Sequence, residues 1–259
     1  MISKVVTTRY VTPLREGGSL PAIVDADDGN QYVMKFVGAG QGPKALIAEL
    51  IAGEIARALK INMPELAIIE LGPMIGRSEP DPEIQDLLQA SVGSNLGLRY
   101  LPNSLNFDPT VDIIDPLLAS TIVWLDAFIT NVDRTVRNVN MLMHQAELWV
   151  IDHGASLYFH HGWGDYMTRS QSPFSMIKDH VLLGTAIELA AADEIAKAKL
   201  SPTLFTEIVN QVPEVWLGGE SHFKDIASHR QAYVEYLTAR LDASSIFVTE
   251  AQKEHASLE

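Results

Sequence analysis

Two aspartates and an asparagine stand at spacings that suit the transfer of a phosphoryl group. Asn138 follows Asp133 by five positions, and Asp152 comes directly after the second of two short apolar runs beyond the asparagine. Carboxylate and amide oxygens are the ligands that Mg²⁺ prefers, and a carboxylate can also orient or deprotonate an attacking hydroxyl. Residues 129 to 154 therefore carry the groups that metal-assisted phosphoryl transfer requires.

The order of these groups matches the order of the parts of a kinase site. In protein kinases an aspartate precedes a metal-binding asparagine by five positions, and an Asp-x-Gly whose aspartate also binds metal follows. Here Asp152 begins the tripeptide Asp-His-Gly, and Lys35 in YVMK stands where kinases have the strand lysine of VAIK. Each part is common alone, but their joint order predicts a kinase-like site.

The first hundred residues predict the elements that must position Lys35. Apolar and polar residues alternate on both sides of Asp28-Gly29-Asn30, which predicts a β-hairpin whose second arm carries Lys35. Pro43 suits a first helical turn, and the apolar residues from 46 to 59 recur at helical spacing. The run ELAIIELG then predicts a strand. This part is expected to be β-rich with one main helix.

The remainder of the chain is predicted to be mainly helical. DPLLASTIVWLDAFI predicts an apolar helix that leads into the Asp133 loop, and VNMLM and ELWVI predict a hairpin across HQA. Further helices are predicted over 177–200, 201–212 and 225–243. We therefore predict an α+β, two-lobed, protein-kinase-like fold. Residues 1–100 would form a small nucleotide-binding lobe and 101–259 a larger helical catalytic lobe of one kinase-like domain.

The composition excludes several classes of function. The chain has 259 residues, enough for one large domain or two packed lobes, and a formal net charge of −14 that disfavours nucleic-acid binding. It has no cysteine, so thiol nucleophiles and thiolate metal sites are excluded. No run approaches the roughly 18–20 apolar residues of a membrane span, and the start is too polar for a signal peptide. We expect a cytoplasmic protein without a direct nucleic-acid or membrane partner.

Three segments resemble the HipA-like kinases, a two-lobed bacterial branch of the protein-kinase-like fold. NVDRTVRN resembles the Asn-x-Asp-Arg-x3-Asn loop of that family. AELIAGEIARALKINMPELAIIEL resembles its lobe helix, which has a glutamate near its start and runs into a strand. IKDHVLL resembles a segment beyond the metal aspartate in the shorter, standalone members. The resemblance covers about residues 10 to 240.

This resemblance implies a role for each candidate residue. Asp133 would be the catalytic base or would position the acceptor hydroxyl, and Asn138 and Asp152 would bind Mg²⁺. Lys35 would contact the phosphates of ATP, and the family's helix glutamate maps to Glu49. ATP and Mg²⁺ are the cofactors that the resemblance implies.

The partner of Lys35 and the phosphate-covering loop are less directly indicated. A helical wheel puts Glu54 in the middle of the apolar stripe and Glu49 well off it, so either could pair with Lys35; we predict Glu49. Kinases cover the phosphates with Gly-x-Gly-x-x-Gly, whereas this chain has REGGSLP. Its adjacent glycines could let backbone N–H groups approach phosphate. We predict that Gly17, Gly18 and Ser19 bind ATP, and that adenine lies near GLRYLP.

Other polar residues near these motifs are predicted to be structural. Asp126, on the apolar helix, is expected to satisfy nearby backbone N–H groups. Adjacent histidines rarely bind one metal, so His160 and His161 are predicted to be ordinary loop residues. Arg134 and Arg137 are expected to brace the loop and not to contact phosphate.

The predicted function is a Mg²⁺- and ATP-dependent phosphotransferase whose acceptor is a serine or threonine hydroxyl on a protein. Two alternatives use the same fold: a nucleotide-binding pseudokinase that acts as an interaction module, and a kinase for a small molecule or a lipid. A metal-dependent hydrolase that uses Asp133, Asp152 and the histidines would instead act without ATP. The sequence carries no readable signal for the acceptor or for the oligomeric state.

Overall fold

The computed structural model of the chain describes residues 1–14, 20–77 and 79–258, and its N-terminal part contains a closed β-barrel. The strands of the barrel are β1 (Ser3–Pro13), β2 (Ala22–Ala26), β3 (Gln31–Lys35), β4 (Leu66–Leu71) and β5 (Gly93–Arg99). They pair in the order β1-β2-β3-β5-β4, and β4 closes the barrel by pairing in parallel with β1. The predicted hairpin is present as β2 and β3, and it places Lys35 opposite Leu96 of β5.

Strand β4 is buried on both faces and joins two cores. Because successive side chains of a strand point to opposite faces, Ala67 and Ile69 belong to the core inside the barrel, while Leu66 and Ile68 face a second core. That second core is larger and includes the apolar residues of the helices described below. The all-apolar run LAII therefore reflects burial from both sides.

The helix after β3 lies in this larger core. Helix α1 (Gly42–Ala58) begins with proline in its first turn, as the sequence predicts, and its residues from 46 to 53 are all buried. A shorter helix, α2 (Pro82–Ala90), is capped by the Asp81 side chain, which accepts a hydrogen bond from the backbone N–H of Glu83. Helix α2 packs its Ile84 and Leu88 onto the core of the barrel.

The rest of the described chain is mainly helical, with one small sheet. The sheet has the order β6-β7-β8, with β6 (Leu105–Asn106), β7 (Met141–His144) and β8 (Glu147–Val150). The helices are α3 (Pro116–Ile129), α4 (Tyr166–Arg169), α5 (Leu189–Lys199), α6 (Pro202–Val209), α7 (Glu214–Leu217), α8 (Ile226–Asp242) and α9 (Ser244–Ala256). Helix α3 and the hairpin of β7 and β8 were predicted, and they flank the Asp133 loop.

The helix predicted over 177–200 is wrong in its first half. Residues 175–179 and 183–185 form short 3₁₀ helices, and the α-helix begins only at Leu189. A β-bridge pairs His180 with Thr135 of the Asp133 loop, and the His180 side chain contacts Asp126. These tertiary contacts hold the segment in a non-helical conformation despite its apolar spacing.

The combination of a barrel with separately packed helices is an α+β architecture, as predicted. The division into lobes at residue 100 stays a prediction, because α1 shares the larger core with the C-terminal helices. Among the residues that the structure describes, no helix is both long and apolar enough to cross a membrane.

Candidate active site

A cluster of one buried lysine, one buried carboxylate and one partly exposed carboxylate lies where β3, α1 and the segment after β8 meet. Lys35 Nζ is 2.5 Å from Glu49 Oε2 and 2.6 Å from Asp152 Oδ1. Glu49 is fully buried, whereas the side chain of Asp152 is 44% exposed. The structure thus places Glu49 against Lys35, while Glu54 contacts Arg57 in the next turn of the helix.

Lys35 and Glu49 hold each other in their charged forms. Burial alone would raise the pKa of Glu49, but the Lys35 ammonium and the contacts with His153 outweigh it and lower that pKa to about 2. Burial would lower the pKa of Lys35, yet the two carboxylates raise it above its usual value. Lys35 and Glu49 are therefore charged at neutral pH.

The loop that follows α3 positions Asp133. Helix α3 ends with Thr130 in the left-handed conformation, and the Asn131 side chain accepts a hydrogen bond from the Asp133 backbone N–H at 3.1 Å. Asn138 and Asn140 both donate to Asp133 Oδ2, at 2.8 and 3.4 Å. The loop therefore holds one oxygen of Asp133 by two amide groups.

Lys35, Asp133 and Asp152 line one cleft with a volume of about 200 Å³. The other lining residues are Phe36, Ala39, Gly40, Gln41, Gly42, Ala45, Leu46, Gly154 and Ala155. A larger cleft of about 520 Å³ lies between β1 and residues 210–214, and none of the predicted site residues lines it. We take the smaller cleft as the candidate active site because the charged groups converge there.

The structure brings together some of the predicted site residues and not others. Asn138 is exposed and binds Asp133, and it does not line the cleft beside Asp152. Gly17, Gly18 and Ser19 lie outside the described residues. Their assignment to ATP stays a prediction.

A second buried cluster lies behind the Asp133 loop, around Asp126. Its carboxylate accepts hydrogen bonds from Arg134 Nε at 2.6 Å and from Asn131 Nδ2 at 3.0 Å, and His180 Nε2 lies 2.9 Å away. Asp126 is structural, as predicted, but its carboxylate binds side chains and not the backbone N–H groups that we expected. Arg134 is fully buried and braces the loop, whereas Arg137 is exposed.

Replacing Asp126 with asparagine is expected to destabilise the fold strongly at neutral pH. The change leaves Arg134 buried without a carboxylate, which costs about 3–5 kcal/mol. Burial would raise the pKa of Asp126, but Arg134 and His180 hold it below its usual value. Its stabilising effect is therefore present above about pH 4, the range of an unfolded aspartate, and is lost as the pH falls further.

The measurement is the free energy of unfolding in denaturant at pH 7 and at successively lower pH. The gap between wild type and Asp126→Asn should narrow below about pH 4. Asp165→Asn is the control, because Asp165 pairs with Arg169 where both side chains are exposed, and its replacement should cost less than about 1 kcal/mol. Equal losses of unfolding free energy in both variants would contradict the role of Asp126 as the buried partner of Arg134.

The carboxylates of the cleft are oxygen donors of the kind that a hard divalent cation takes. Mg²⁺ in phosphoryl-transfer sites takes one or two carboxylates and completes its shell with phosphate and water oxygens. Asp152 and Asp133 provide carboxylates on one cleft. In the described residues, no group of three or more His, Asp or Glu side chains could hold a metal without such help. His160 is buried against Tyr233, and its ring stands nearly perpendicular to that of His161.

Two features of this site were not predicted from the sequence. Gly40, Gln41 and Gly42 form one wall of the cleft, and Gly42 adopts a φ of +61° that favours glycine. The sequence does carry a signal for this wall, since VGAGQGP places three glycines between Lys35 and Pro43. The contacts of His153 were also missed, because no spacing rule indicates which neighbours a buried histidine will have.

Comparison with solved structures shows the fold of the chain. The chain resembles the crystal structure of a Helicobacter pylori proinflammatory kinase, CtkA, with a TM-score of 0.56, 12% identity, and coverage of 100% of this chain and 99% of that one. It resembles the Golgi casein kinase solved with Mn and ADP, with a TM-score of 0.50, 12% identity, and coverage of 99% and 74%. At these identities the likeness shows the fold. No curated protein sequence matches the chain significantly.

The family model for HipA-like kinases matches residues 7–246. This match begins within β1, includes every later described element through α8, and ends in the first turn of α9. It contains the Lys35–Glu49 ion pair. It also contains Asp133 and Asp152, which line the same cleft as Lys35. The chain belongs to the HipA-like kinase family.

Proposed function

We propose that this protein transfers the terminal phosphoryl group of ATP, with Mg²⁺, to a serine or threonine hydroxyl of a protein acceptor. The observation that carries the proposal is the cleft in which the Lys35 cluster and Asp133 face common space. A phosphoryl group needs a cation, a metal ligand and a hydroxyl-orienting carboxylate around it, and the cleft holds one of each.

On the nucleotide side, Lys35 would bind phosphate oxygens and Asp152 would hold the metal. Bound Mg²⁺ would neutralise the charge that develops on the transferred phosphoryl group. The Golgi casein kinase was solved with Mn and ADP, which supports a divalent cation and a nucleotide on this fold. Gly40 and Gly42 lie at the N-terminal end of α1, where backbone N–H groups and the helix dipole favour a negative charge.

On the acceptor side, Asp133 would orient the hydroxyl and accept its proton. Two amide groups hold its Oδ2, so that Oδ1 is the oxygen that would accept the hydrogen bond from the acceptor. If Asn138 keeps its hydrogen bond to Asp133 Oδ2 when metal binds, it helps to hold the base in place. The family resemblance implies a second role, in which Asn138 itself binds the metal, and we propose this role as well.

Replacing Asp133 with asparagine is expected to abolish transfer while ATP still binds. An amide cannot take the hydroxyl proton, and loss of a positioned base costs about 10²- to 10⁴-fold in rate. The dissociation constant for ATP should change little, because Lys35, and not Asp133, would bind the phosphates of ATP. The measurement is phosphate transfer from radiolabelled ATP to casein and to the chain itself, followed by acid hydrolysis to identify the phosphorylated amino acid.

The control is Asp165→Asn, which removes an exposed carboxylate that pairs with Arg169 outside the cleft. It should leave transfer unchanged. ATP binding with no transfer to any acceptor by the wild type would favour the pseudokinase alternative. Radiolabel on a small molecule or a lipid, and not on protein, would support a kinase activity but contradict a protein acceptor.

A further inference from the structure

A buried histidine touches both charged clusters of the candidate site. His153 is fully buried between the Lys35–Glu49 pair and the Asp126–Arg134 pair. Its backbone N–H donates to Glu49 Oε2 at 2.8 Å, and its Nε2 lies 3.0 Å from Arg134 Nη2. In the described part of the chain, it is the side chain that contacts both clusters.

The contact with Arg134 determines which nitrogen of His153 carries the proton. A guanidinium nitrogen can only donate, so Nε2 must accept, and the proton of the neutral ring is on Nδ1. Nδ1 lies 3.5 Å from Glu49 Oε1, and neither atom has another hydrogen-bond partner in the described residues. The ring is thus oriented with a donor toward Glu49 and an acceptor toward Arg134.

Arg134 connects this contact to the loop that carries Asp133. Besides Asp126, it donates to the backbone carbonyls of Asn140 and, at 3.3 Å, Ile151. These two carbonyls lie just before β7 and just after β8, and Arg134 itself follows Asp133 in the chain. A shift of Arg134 would therefore move Asp133 relative to Asp152.

We propose that His153 is a positioning residue that aligns the acceptor-side loop with the nucleotide-side cluster by accepting a hydrogen bond from Arg134. This inference rests on the proposed function. If His153 only filled space in the core, any ring of this size would suffice, whichever atoms stood at the two nitrogen positions. The positioning role requires the acceptor at the position of Nε2, and conservative variants separate the two requirements.

Three substitutions of His153 test the role of each nitrogen. Glutamine places an amide oxygen near the position of Nε2 and keeps an acceptor for Arg134. Asparagine places its polar atoms near Nδ1, so it keeps a group for Glu49 and loses the acceptor. Phenylalanine keeps the ring volume and loses both. Turnover should be closest to wild type in His153→Gln, and should fall about 10- to 100-fold in His153→Asn and His153→Phe.

The measurements are radiolabel transfer from MgATP to casein and to the chain itself, the dissociation constant for ATP by calorimetry, and the thermal unfolding midpoint. Transfer is measured at a temperature at which every variant is folded. We expect the ATP dissociation constant of all three variants to stay within about threefold of wild type, which is under 1 kcal/mol. The positioning role would be overturned if turnover falls in step with the unfolding midpoint and His153→Gln is no more active than His153→Asn.

Two further results separate this inference from the proposed function. Unchanged transfer in all three variants of an active wild type would remove the inference alone. A wild-type chain that binds ATP and transfers no phosphate would remove the proposed function, and the inference with it. Loss of ATP binding in step with turnover would place His153 in the nucleotide site and contradict its role in aligning the acceptor side.

Discussion

Lys35→Met is expected to lose both phosphate transfer and a large part of the stability of the fold. The substitution removes the cation that would bind phosphate, and loss of one such electrostatic group costs about 10²- to 10³-fold in turnover. It also leaves Glu49 fully buried without its cation, and breaking a buried ion pair costs about 3–5 kcal/mol. Both effects come from one side chain because Lys35 holds Glu49 and Asp152 together.

The double variant Lys35→Met/Glu49→Gln separates the two effects. Without the glutamate charge, part of the lost stability should return, while transfer stays absent. Unfolding in denaturant and transfer of radiolabel are the two measurements, and Lys253→Met is the control, because Lys253 pairs with glutamates on the exposed face of α9. If Lys35→Met is as stable as wild type, burial of the Glu49 carboxylate does not require the Lys35 cation.

Asp152→Asn is expected to remove Mg²⁺-dependent turnover with little effect on the fold. Asparagine is the appropriate replacement because Asp152 has a φ of +56°, a conformation that aspartate and asparagine tolerate better than other residues with a side chain. The side chain is 44% exposed, so its contribution to stability is expected to be small. Loss of a charged metal ligand should lower turnover on the order of 10³-fold, since metal stabilisation supplies several kcal/mol.

The measurement is turnover as a function of Mg²⁺ concentration for wild type and Asp152→Asn. The variant should need far more Mg²⁺ and should not reach the wild-type rate. Asp25→Asn serves as the control, since Asp25 is a carboxylate of β2 that pairs with Arg9 away from the cleft. An unaltered Mg²⁺ requirement in Asp152→Asn would exclude Asp152 as the metal ligand.

The sequence predicted the order of the site residues better than their contacts. Lys35, Asp133 and Asp152 could be found because strand, loop and hairpin have short-range signals, and the structure places all three on one cleft. The choice between Glu49 and Glu54 could not be made from the helical wheel. Helix α1 is buried over most of its circumference, so its apolar stripe does not identify the face that meets Lys35.

Metal binding by Asn138 stays a prediction; in the structure a tight turn from Thr135 to Asn138 directs its amide to Asp133. A contact between distant segments explains the error in the predicted helices. The residues around His180 have a helical pattern, and contacts with the Asp133 loop override it. This contact has no signal within a short window of sequence, since the bridge between Thr135 and His180 joins positions 45 residues apart.

ATP binding by the wild-type chain, measured by calorimetry with Mg²⁺ and with a chelator, tests the central claim most directly, because it does not require the acceptor to be known. We expect one ATP per chain, with binding that is clearly tighter when Mg²⁺ is present. No binding of ATP under either condition would contradict it, since a cleft that holds Lys35 and Asp152 for phosphate and metal must bind the nucleotide before any acceptor matters.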